Sequence, residues 1–262
     1  MSATPSADLQ PAAPTRPARR RVCLLTGAGG LLGSAFCSAF AADYDIVAVC
    51  RRRRPPVPSQ HEFFVDPLDP RTEPPENRNR VYVIDADLEL DGQVDRVVDV
   101  ALAKFGRVDL LVNNAAYSRW HAPGLLDGAG IMADFDRHFA VNVGLAHRLT
   151  SRLAEQFWTV RDRQNRAANR NVVNVSSLAG ARVYPHQGQA VYAASKAALN
   201  QLTRHQAAEF AAFGVRVNAV APNSFPAIVP VESVLAAMRR LDQDQVTGRI
   251  LAVDAPTPAS DG

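Results

Sequence analysis

Short apolar runs alternate with amphipathic segments of helical length along most of the chain. The runs include "RVCLLTG" (21–27), "DIVAVC" (45–50) and "RVDLLVNNAA" (107–116), while "LLGSAFCSAFAAD" (31–43) and "QVDRVVDVALAKFG" (93–106) have helical spacing. Continuous apolar strands that alternate with amphipathic helices are typical of a parallel sheet covered on both faces. The pattern therefore predicts an α/β fold, with a single doubly wound parallel sheet and helices on both faces.

One segment, residues 55–80, interrupts this alternation. It holds seven prolines in "PPVPSQHEFFVDPLDPRTEPPENRNR", where a doubly wound fold normally has a crossover helix. Proline at this density is incompatible with a regular helix, because each ring clashes with the preceding turn and lacks a backbone N–H. We expect an irregular surface insertion over residues 55–80, ordered around Phe63 and Phe64.

Length and charge restrict the classes of function. With 262 residues, 47% of them hydrophobic, the chain can bury one large core, so a single domain over residues 22–262 is expected. Residues 1–21 carry four arginines and one aspartate, which leaves 25 basic and 25 acidic side chains in the remainder. Because this body is neutral, charge gives no reason to expect nucleic-acid binding.

The N-terminal segment and the cysteines indicate the compartment. Residues 1–21 are rich in Pro, Ala, Ser and Thr and have no apolar run, which predicts a disordered tail without a secretory signal or membrane span. An organelle-targeting peptide is the second interpretation. Cys23, Cys37 and Cys50 lie in apolar surroundings without a C-x-x-C pair. We expect core residues in a reducing, cytoplasmic compartment, with no metal site and no disulfide.

A glycine motif, "TGAGGLLG" (26–33), follows the first predicted strand and opens a helical segment. In this context Gly27 permits a tight turn, Gly30 lets the backbone approach a pyrophosphate, and Gly33 packs the helix against the strand. A glycine-rich turn without a ligand is the alternative. The position at the first strand–helix junction favours a dinucleotide-binding loop.

The second predicted strand ends in "CRRRR", with Arg51–Arg54 and no acidic residue. At this point in nucleotide-binding folds, an acid accepts the 2′-hydroxyl of NAD, whereas arginine pairs with the 2′-phosphate of NADP. The sequence therefore favours NADP(H) over NAD(H). A solvated charge run before the proline-rich segment explains at least two of these arginines.

A tyrosine and a lysine stand four residues apart in the helical segment "AVYAASKAALNQL" (190–202). This spacing puts the Tyr192 phenol and the Lys196 ammonium on one helix face, about one turn apart. The pair alone is as compatible with ordinary packing as with proton transfer, so the other motifs decide between these interpretations.

Five features in order resemble the short-chain dehydrogenase/reductase family. They are "TGAGGLLG", "NNAA" (113–116), Asn142 in a helix, "NVSS" (174–177) and "YAASK" (192–196), and the resemblance runs from about Val22 to Asp254. It implies a Rossmann fold and an oxidoreductase that transfers a hydride between a nicotinamide and a ketone or secondary alcohol.

The resemblance also implies roles for individual residues. Tyr192 would be the catalytic acid/base, with Lys196 as its partner and a ribose ligand. Ser177 would orient the substrate, with Ser176 as the alternative donor, and Asn142 would anchor a proton-relay water. The implied cofactor-binding residues are Gly27, Gly30, Leu32, Gly33, Arg51, Arg52, Asp87, Leu88, Asn114, Ala115, Tyr192, Lys196, Pro222 and Phe225.

The proposed acid/base needs an adjusted pKa. A phenol has a reference pKa of about 10, and lowering it by ~3 units requires ~4 kcal/mol of preferential stabilisation of the phenolate. We expect Lys196, the start of its helix and a nicotinamide cation to act in this direction.

The chain departs from the family pattern in two places. Its spacing G-x-x-G-x-x-G is closer to the extended branch, although "NNAA", the short C-terminal part and "VTGRILAVD" favour the classical branch. In "PNSFPAIVP" (222–230), Asn223 and Ala227 replace the usual glycine and threonine, and few residues remain for a helical lid. We therefore expect an open substrate site. Its candidate residues are Trp120, His186 and Asn223, with Tyr117, Ser118, Arg119, His121, Tyr184 and Gln187 nearby.

Two functions of different classes are compatible with the sequence. We favour an NADP(H)-dependent oxidoreductase acting on a small-molecule or carrier-bound carbonyl compound or alcohol; the alternative is a nucleotide-sensing or scaffold homologue with little turnover. A sugar-nucleotide epimerase or dehydratase would need a larger C-terminal domain.

Apolar residues on the two long helices predict a homodimer or homotetramer, unless all of them reach the sheet and the protein is a monomer. These are Leu145, Leu149, Leu153, Phe157, Leu199, Leu202 and Phe210.

Overall fold

Seven parallel strands form one sheet in the computed structural model, which describes residues 20–61 and 80–255. Residues 1–19 of the expected tail, and residues 62–79 of the expected insertion with Phe63 and Phe64, lie outside the described residues. The strands are β1 (Arg21–Thr26), β2 (Tyr44–Cys50), β3 (Val81–Asp85), β4 (Leu110–Asn113), β5 (Asn171–Val175), β6 (Arg216–Pro222) and β7 (Ile250–Val253). Their order, β3-β2-β1-β4-β5-β6-β7, reverses direction between β1 and β4. The predicted doubly wound parallel sheet is confirmed.

Helices cover both faces of this sheet, as the alternating pattern requires. They are α1 (Leu31–Phe40), α2 (Gln93–Phe105), α3 (Gly128–Phe139), α4 (Leu145–Leu153), α5 (Asp162–Ala167), α6 (Ala190–Phe210) and α7 (Val231–Gln243). Along β1, Cys23 and Leu25 pack in the core under α1 and α7, whereas Val22 and Leu24 pack under α2, α4 and α6. Successive strand residues thus enter opposite cores, which is why the strands are apolar throughout.

The apolar spacing between α3 and α5 suggests one regular helix, but the structure does not have one there. Two π-helical stretches, Ala140–Gly144 and Ala154–Trp158, flank α4. A π turn inserts an extra residue into the helical period, and such turns often occur at functional sites. Asn142 lies within the first of these stretches.

The described ends of the predicted tail and insertion are both tied to the rest of the fold. Arg21 already belongs to β1 and forms a 2.8 Å ion pair with Asp242, so the strand begins one residue before the predicted domain start. At the insertion, the Gln60 side-chain amide donates to the Val83 carbonyl at 2.6 Å and accepts from the Val83 N–H at 2.7 Å. The beginning of the insertion is therefore fixed to the edge strand β3.

The long helices direct most of the apolar side chains predicted for a subunit interface into the core instead. Leu145, Leu149, Leu153, Phe157, Leu199 and Phe210 are buried within the single chain, and Leu202 is half-buried. The assignment of the six buried residues to an interface is wrong because they cover the sheet. No helix among residues 20–61 and 80–255 is long and apolar enough to cross a membrane.

The three cysteines belong to the core, as expected. Cys23, Cys37 and Cys50 are free and buried, and burial raises the pKa of Cys37 to about 12 and that of Cys50 to about 11. Thiols with such pKa values are almost entirely protonated at neutral pH, so they act as small apolar residues.

Candidate active site

A groove of about 730 Å³ opens at the carboxyl ends of the central strands. This is the edge at which open α/β sheets bind nucleotides, beside the point where the strand order reverses. Among its lining residues are Gly27, Gly30, Leu32, Arg51, Arg52, Asp87, Leu88, Asn114, Ala115 and Phe225. The fold thus brings most of the predicted cofactor residues together, while Gly33, Tyr192, Lys196 and Pro222 do not line this groove.

The glycines in the loop after β1 have different structural reasons. Gly27 has a φ of 64°, which favours glycine. A Cβ at Gly33 would lie 2.4 Å from the Gly27 carbonyl oxygen, so this glycine lets α1 pack on the loop. A Cβ at Gly29 would lie 1.8 Å from the Arg53 carbonyl oxygen. The close approach at Gly29 was missed because it depends on where the chain runs after β2.

The first turn of α1 suits an anion. The helix begins after Gly30, which offers no side-chain cap, and Leu31 and Leu32 of the first turn line the groove. Free backbone N–H groups and the positive end of the helix dipole favour a phosphate there. These features fit the pyrophosphate of a dinucleotide.

The arginines after β2 meet an acid that the local sequence does not reveal. Arg51 donates to Glu89 at 2.7 Å, and Arg137 makes two hydrogen bonds of 2.9 Å to the same carboxylate. These arginines hold the pKa of Glu89 below its usual value, with the Arg137 hydrogen bond as the largest cause. Arg52 lines the groove, whereas Arg54 pairs with Asp85 at the end of β3. The fold therefore supplies an acid beside the Arg cluster.

Asn114 and Asn142 hold the loop that follows β4. The Asn114 amide donates to the carbonyls of Thr26 and Gly27 at 2.9 and 3.1 Å. The Asn142 side chain accepts from the Tyr117 N–H at 2.8 Å and donates to the Tyr117 carbonyl and the Ser195 hydroxyl, both at 2.9 Å. Asn142 therefore links this loop to α6, and its role in anchoring a relay water stays a prediction.

Ser177, Tyr192 and Lys196 come together beside β5. Ser177 follows this strand and lines the same cavity as Tyr192, while Lys196 donates to the Val175 carbonyl at 2.9 Å. The Lys196 ammonium lies 5.7 Å from the centre of the Tyr192 ring. Ser176 instead donates its hydroxyl to the Lys196 carbonyl at 3.3 Å. This geometry favours Ser177 over Ser176 as the partner of Tyr192.

Burial changes the pKa values of both Tyr192 and Lys196. It raises the pKa of Tyr192, and the hydrogen bond with Ser177 only partly opposes that effect. Burial also lowers the pKa of Lys196 to about 8. The expected lowering of the Tyr192 pKa does not occur in the protein alone, because desolvation by burial is the largest influence on this phenol and raises its pKa. Tyr192 is thus a neutral phenol, the form that can donate a proton.

A second cavity, of about 250 Å³, adjoins Tyr192. Trp120, Asn223 and Pro222 line it, and Phe225 lines both cavities. The centre of the Trp120 ring system lies 6.2 Å from that of Tyr192, at an interplanar angle of 30°. His186 is exposed, has a φ of 61° and does not line this cavity, so its assignment to the substrate site is corrected.

The connection between β6 and α7 forms one side of the second cavity. Residues 223–230 contain no helix, as expected from their small number, and Ser224 and Ile228 line the cavity. Asn223 donates to Asp254 at 2.8 Å, and Arg182 pairs with the same carboxylate. Ser224 and Ile228 were missed as lining residues, because only the path of the folded chain brings them to Tyr192, whereas Gln189 was missed although it stands three residues before Tyr192.

Comparison with known proteins agrees with this geometry. The model of the family described as short chain dehydrogenase matches residues 21–228. The 3-oxoacyl-[acyl-carrier-protein] reductase FabG of Thermotoga maritima is 32% identical over 205 residues, which are 77% of this chain and 73% of that protein. The 2-(R)-hydroxypropyl-CoM dehydrogenase of Xanthobacter autotrophicus is 28% identical over 239 residues, 88% of this chain and 82% of that protein.

A solved structure shares the fold over nearly the whole chain. The short chain dehydrogenase from Mycobacterium smegmatis aligns with a TM-score of 0.68 and 26% identity, covering 91% of this chain and 93% of that one. The family match extends from β1 through β6 and thus includes both cavities' central residues. The chain belongs to the short-chain dehydrogenase/reductase family of oxidoreductases, whose members use a nicotinamide cofactor, NAD or NADP.

Proposed function

We propose that the protein is a classical-type, NADP(H)-dependent oxidoreductase that interconverts a ketone and a secondary alcohol, with Tyr192 as the acid/base. One observation carries the proposal. Ser177 and Tyr192 both line the second cavity, and Phe225 joins that cavity to the groove. A carbonyl group in the second cavity would therefore have both hydroxyls beside it.

The groove offers a separate contact for each part of NADP(H). The first turn of α1 and the loop with Gly27 and Gly30 would hold the pyrophosphate, and Arg51 and Arg52 would pair with the 2′-phosphate. The end near Phe225 would take the nicotinamide, which supplies or accepts a hydride when bound. Arg52 has no acidic partner among the described ion pairs, which supports the preference for NADP(H).

Tyr192 would donate its proton to the carbonyl oxygen during reduction. Burial keeps the phenol protonated, and the Ser177 hydroxyl would stabilise the negative charge that develops on the substrate oxygen. Lys196 is fixed by its bond to the Val175 carbonyl, so its ammonium stays near the ring and would stabilise the phenolate after proton transfer. In alcohol oxidation the same groups act in reverse.

A substrate screen and one substitution test the proposal. The native protein should oxidise NADPH with at least one ketone, followed at the nicotinamide absorbance. Tyr192→Phe removes only the hydroxyl, so NADPH should still bind while turnover falls by the ~10²–10⁴ that general acid catalysis contributes. A Tyr192→Phe protein that retained most of its turnover would place the acid elsewhere. NADPH binding without turnover of any carbonyl compound would instead favour a nucleotide-sensing role.

The free, buried cysteines support a reducing, cytoplasmic location for this activity. The substrate could be a small molecule or one attached to a carrier, as the name of the T. maritima reductase states for that protein. The lining of the second cavity bears on this choice.

A further inference from the structure

The second cavity has a lining without charge. Its described lining residues are Ser118, Trp120, Ser176, Ser177, Ala179, Tyr184, Gln187, Gln189, Tyr192, Pro222, Asn223, Ser224, Phe225 and Ile228. On the basis of the proposed function, we propose that this cavity binds an uncharged aromatic ketone, or the corresponding 1-aryl alcohol. The ring lies against Trp120, and a neutral polar substituent meets the amides and hydroxyls of the lining.

Charge is the first argument. An anion that enters this cavity loses hydration, and none of the described lining side chains carries a positive charge to replace it. Transfer of an unpaired carboxylate or sulfonate from water is costly, whereas a neutral amide or hydroxyl needs only hydrogen bonds. Gln187 and Gln189 provide amide groups for such bonds: the Gln189 amide donates to the Gln187 oxygen at 3.2 Å, which leaves the Gln187 NH₂ group and the Gln189 oxygen for a ligand.

The arginines on the two flanking loops are already paired with carboxylates. Arg119, next to Trp120 in the chain, lies 3.2 Å from Asp134, and Arg182 forms an ion pair with Asp254. Recruiting either guanidinium to a substrate anion would leave its carboxylate without this partner. The pairs therefore oppose binding of an anionic substrate group at this site.

The aromatic ring of Trp120 is the second argument. Its side chain is 53% exposed although it stands beside Tyr192, so one face is available to a ligand. The His121 N–H donates to the Gly188 carbonyl at 2.9 Å, and a Cβ at Gly188 would lie 1.9 Å from the His121 carbonyl oxygen. This close contact fixes the loop of Trp120 to the loop of Gln187 and Gln189. The backbone that carries Trp120 is thus held in place before substrate binds.

Size limits the ligand further. The cavity has a volume of about 250 Å³. That volume suits one substituted ring and is below the range for drug-sized ligands, roughly 300–1,000 Å³. A single aryl ring with a carbonyl group at one end and a small polar group at the other matches this space.

Two ketones of nearly equal shape test the charge argument. Calorimetric titration of Tyr192→Phe, with NADPH in excess, should show 4-acetylbenzamide binding at least about tenfold more tightly than 4-acetylbenzoate. Ser118→Arg adds a cation to the lining and should remove most of this preference, whereas the neutral control Ser118→Gln should keep it. If Tyr192→Phe with its native Ser118 bound 4-acetylbenzoate as tightly as 4-acetylbenzamide, or more tightly, the inference would be overturned. Failure of both ketones to bind to this protein would also overturn it.

A second pair tests the role of the ring. Acetophenone should bind about threefold to tenfold more tightly than cyclohexyl methyl ketone, the range expected for one aromatic contact. Trp120→Ala should remove this preference, while Trp120→Phe should retain much of it because the position stays aromatic. An unchanged preference in Trp120→Ala would show that the ring does not position the substrate.

The binding measurements separate this inference from the proposed function. They use a variant without the catalytic hydroxyl, so they do not depend on turnover. If the binding preferences hold but the native protein reduces neither 4-acetylbenzamide nor acetophenone, the proposed reaction is wrong and the proposed ligand class stands. If the native protein reduces the benzoate with the same kcat/KM as the benzamide, the reaction stands and the ligand class is wrong.

Discussion

Glu89 is the residue that most changes the chemistry of the cofactor groove. Its carboxylate holds both Arg51 and Arg137, so part of the positive charge near the proposed 2′-phosphate site is already neutralised. Arg137 also lies 4.5 Å from the centre of the Tyr117 ring, which further limits its movement. The strength of the NADP(H) preference therefore depends on Glu89 as well as on the arginines.

We expect Glu89→Gln to tighten NADPH binding. Without the carboxylate, Arg51 is free to pair with a phosphate, and a charge-assisted hydrogen bond contributes ~1.5–3 kcal/mol. NADH, which has no 2′-phosphate, should gain much less. Arg51→Ala with Arg52→Ala should have the opposite effect and weaken NADPH binding by ~1.5–3 kcal/mol per hydrogen bond lost. Dissociation constants from fluorescence titration measure each change.

Asp85→Asn is the matched control. It breaks a neighbouring pair with Arg54, which does not line the groove, so the NADPH:NADH affinity ratio should stay near that of the native protein. Equal affinities of the native protein for the two cofactors would contradict the proposed preference. Tighter NADPH binding in both Glu89→Gln and Asp85→Asn would indicate a general effect of net charge rather than release of Arg51.

Lys196 gives stability a defined pH dependence. Burial lowers its pKa from 10.5 to about 8, so between these values the unfolded chain binds more protons than the folded protein. The contribution of Lys196 to the free energy of unfolding is greatest above pH 10.5, where the side chain is neutral in both states, and it decreases as the pH falls towards 8. The contribution of Lys196 to the free energy of unfolding should rise by up to about 3 kcal/mol across this window.

Urea unfolding at pH 8 and pH 10 measures this rise. Lys196→Met keeps the length of the side chain without its charge, so the difference between native and variant stabilities should change with pH in the predicted direction. Parallel stabilities at the two pH values would show that the ammonium has its ordinary pKa in the folded protein. The comparison also removes the contribution of other groups that titrate in this range.

At this scale, local spacing predicted the contacts within one element and missed those between elements. Tyr192 and Lys196 could be paired because they are one helical turn apart. Glu89 could not be assigned to Arg51, since the two residues are 38 positions apart and meet only through the adjacent strands β2 and β3. The protonation of Tyr192 was also misjudged, because burial is a property of the whole fold.

Among the elements, the loop from β1 to α1 depends on its contact with the segment after β2. Gly29→Ala would place a Cβ at 1.8 Å from the Arg53 carbonyl oxygen, so one of the two chain segments must move. We expect a loss of stability at the upper end of the roughly 1–3 kcal/mol typical of overpacking. NADPH binding should weaken as well, because both segments line the groove. Urea unfolding and cofactor titration measure the two effects.

Gly128→Ala is the control for this substitution. Gly128 begins α3, and its Cβ would meet no atom within 4 Å. Alanine there should be neutral or stabilise the protein by up to ~1 kcal/mol, since it restricts the unfolded chain. A Gly29→Ala protein as stable as Gly128→Ala would show that the two segments separate easily.

Helical periodicity located the long helices but could not reveal their π turns. The apolar spacing from α3 to α5 is close to 3.6 residues on average, so an extra residue at Ala140–Gly144 disappears in the pattern. That turn holds Asn142, whose amide binds the Tyr117 backbone and Ser195. Recognising Asn142 from the family motif therefore identified the residue without its local geometry.

For the molecule as a whole, the class of the sheet followed from the alternation of strands and helices. The ends of the chain did not. Arg21 is tied to Asp242 of α7 by an ion pair and to the carbonyls of Asp109 and Asn169 by hydrogen bonds. Composition placed Arg21 with the arginines of the tail, because charge alone does not distinguish a tail residue from one that fastens a strand to a distant helix.

Assembly also belongs to this scale, and the surface of α6 suggests where it occurs. Members of the family are usually oligomeric, and Ala194 and Ala197 are exposed on α6 beside the half-buried Ala198 and Leu202. These residues share one helix face, where small side chains allow a second helix to approach closely. We expect a homodimer or homotetramer, and Ala197→Arg should dissociate it through this face. Light scattering at micromolar concentration measures the mass.

The choice of variants follows from burial. Leu149 and Phe157 are core residues, so a glutamate at either position should unfold the protein rather than separate its subunits. Ala236→Arg, at an exposed position of α7, adds the same charge on another surface and should leave the assembly intact. A native mass near the 28.3 kDa of one chain would contradict the prediction. A folded Ala197→Arg protein that kept the native mass would move the interface away from this face of α6, whereas monomers formed only by Ala197→Arg would assign it there.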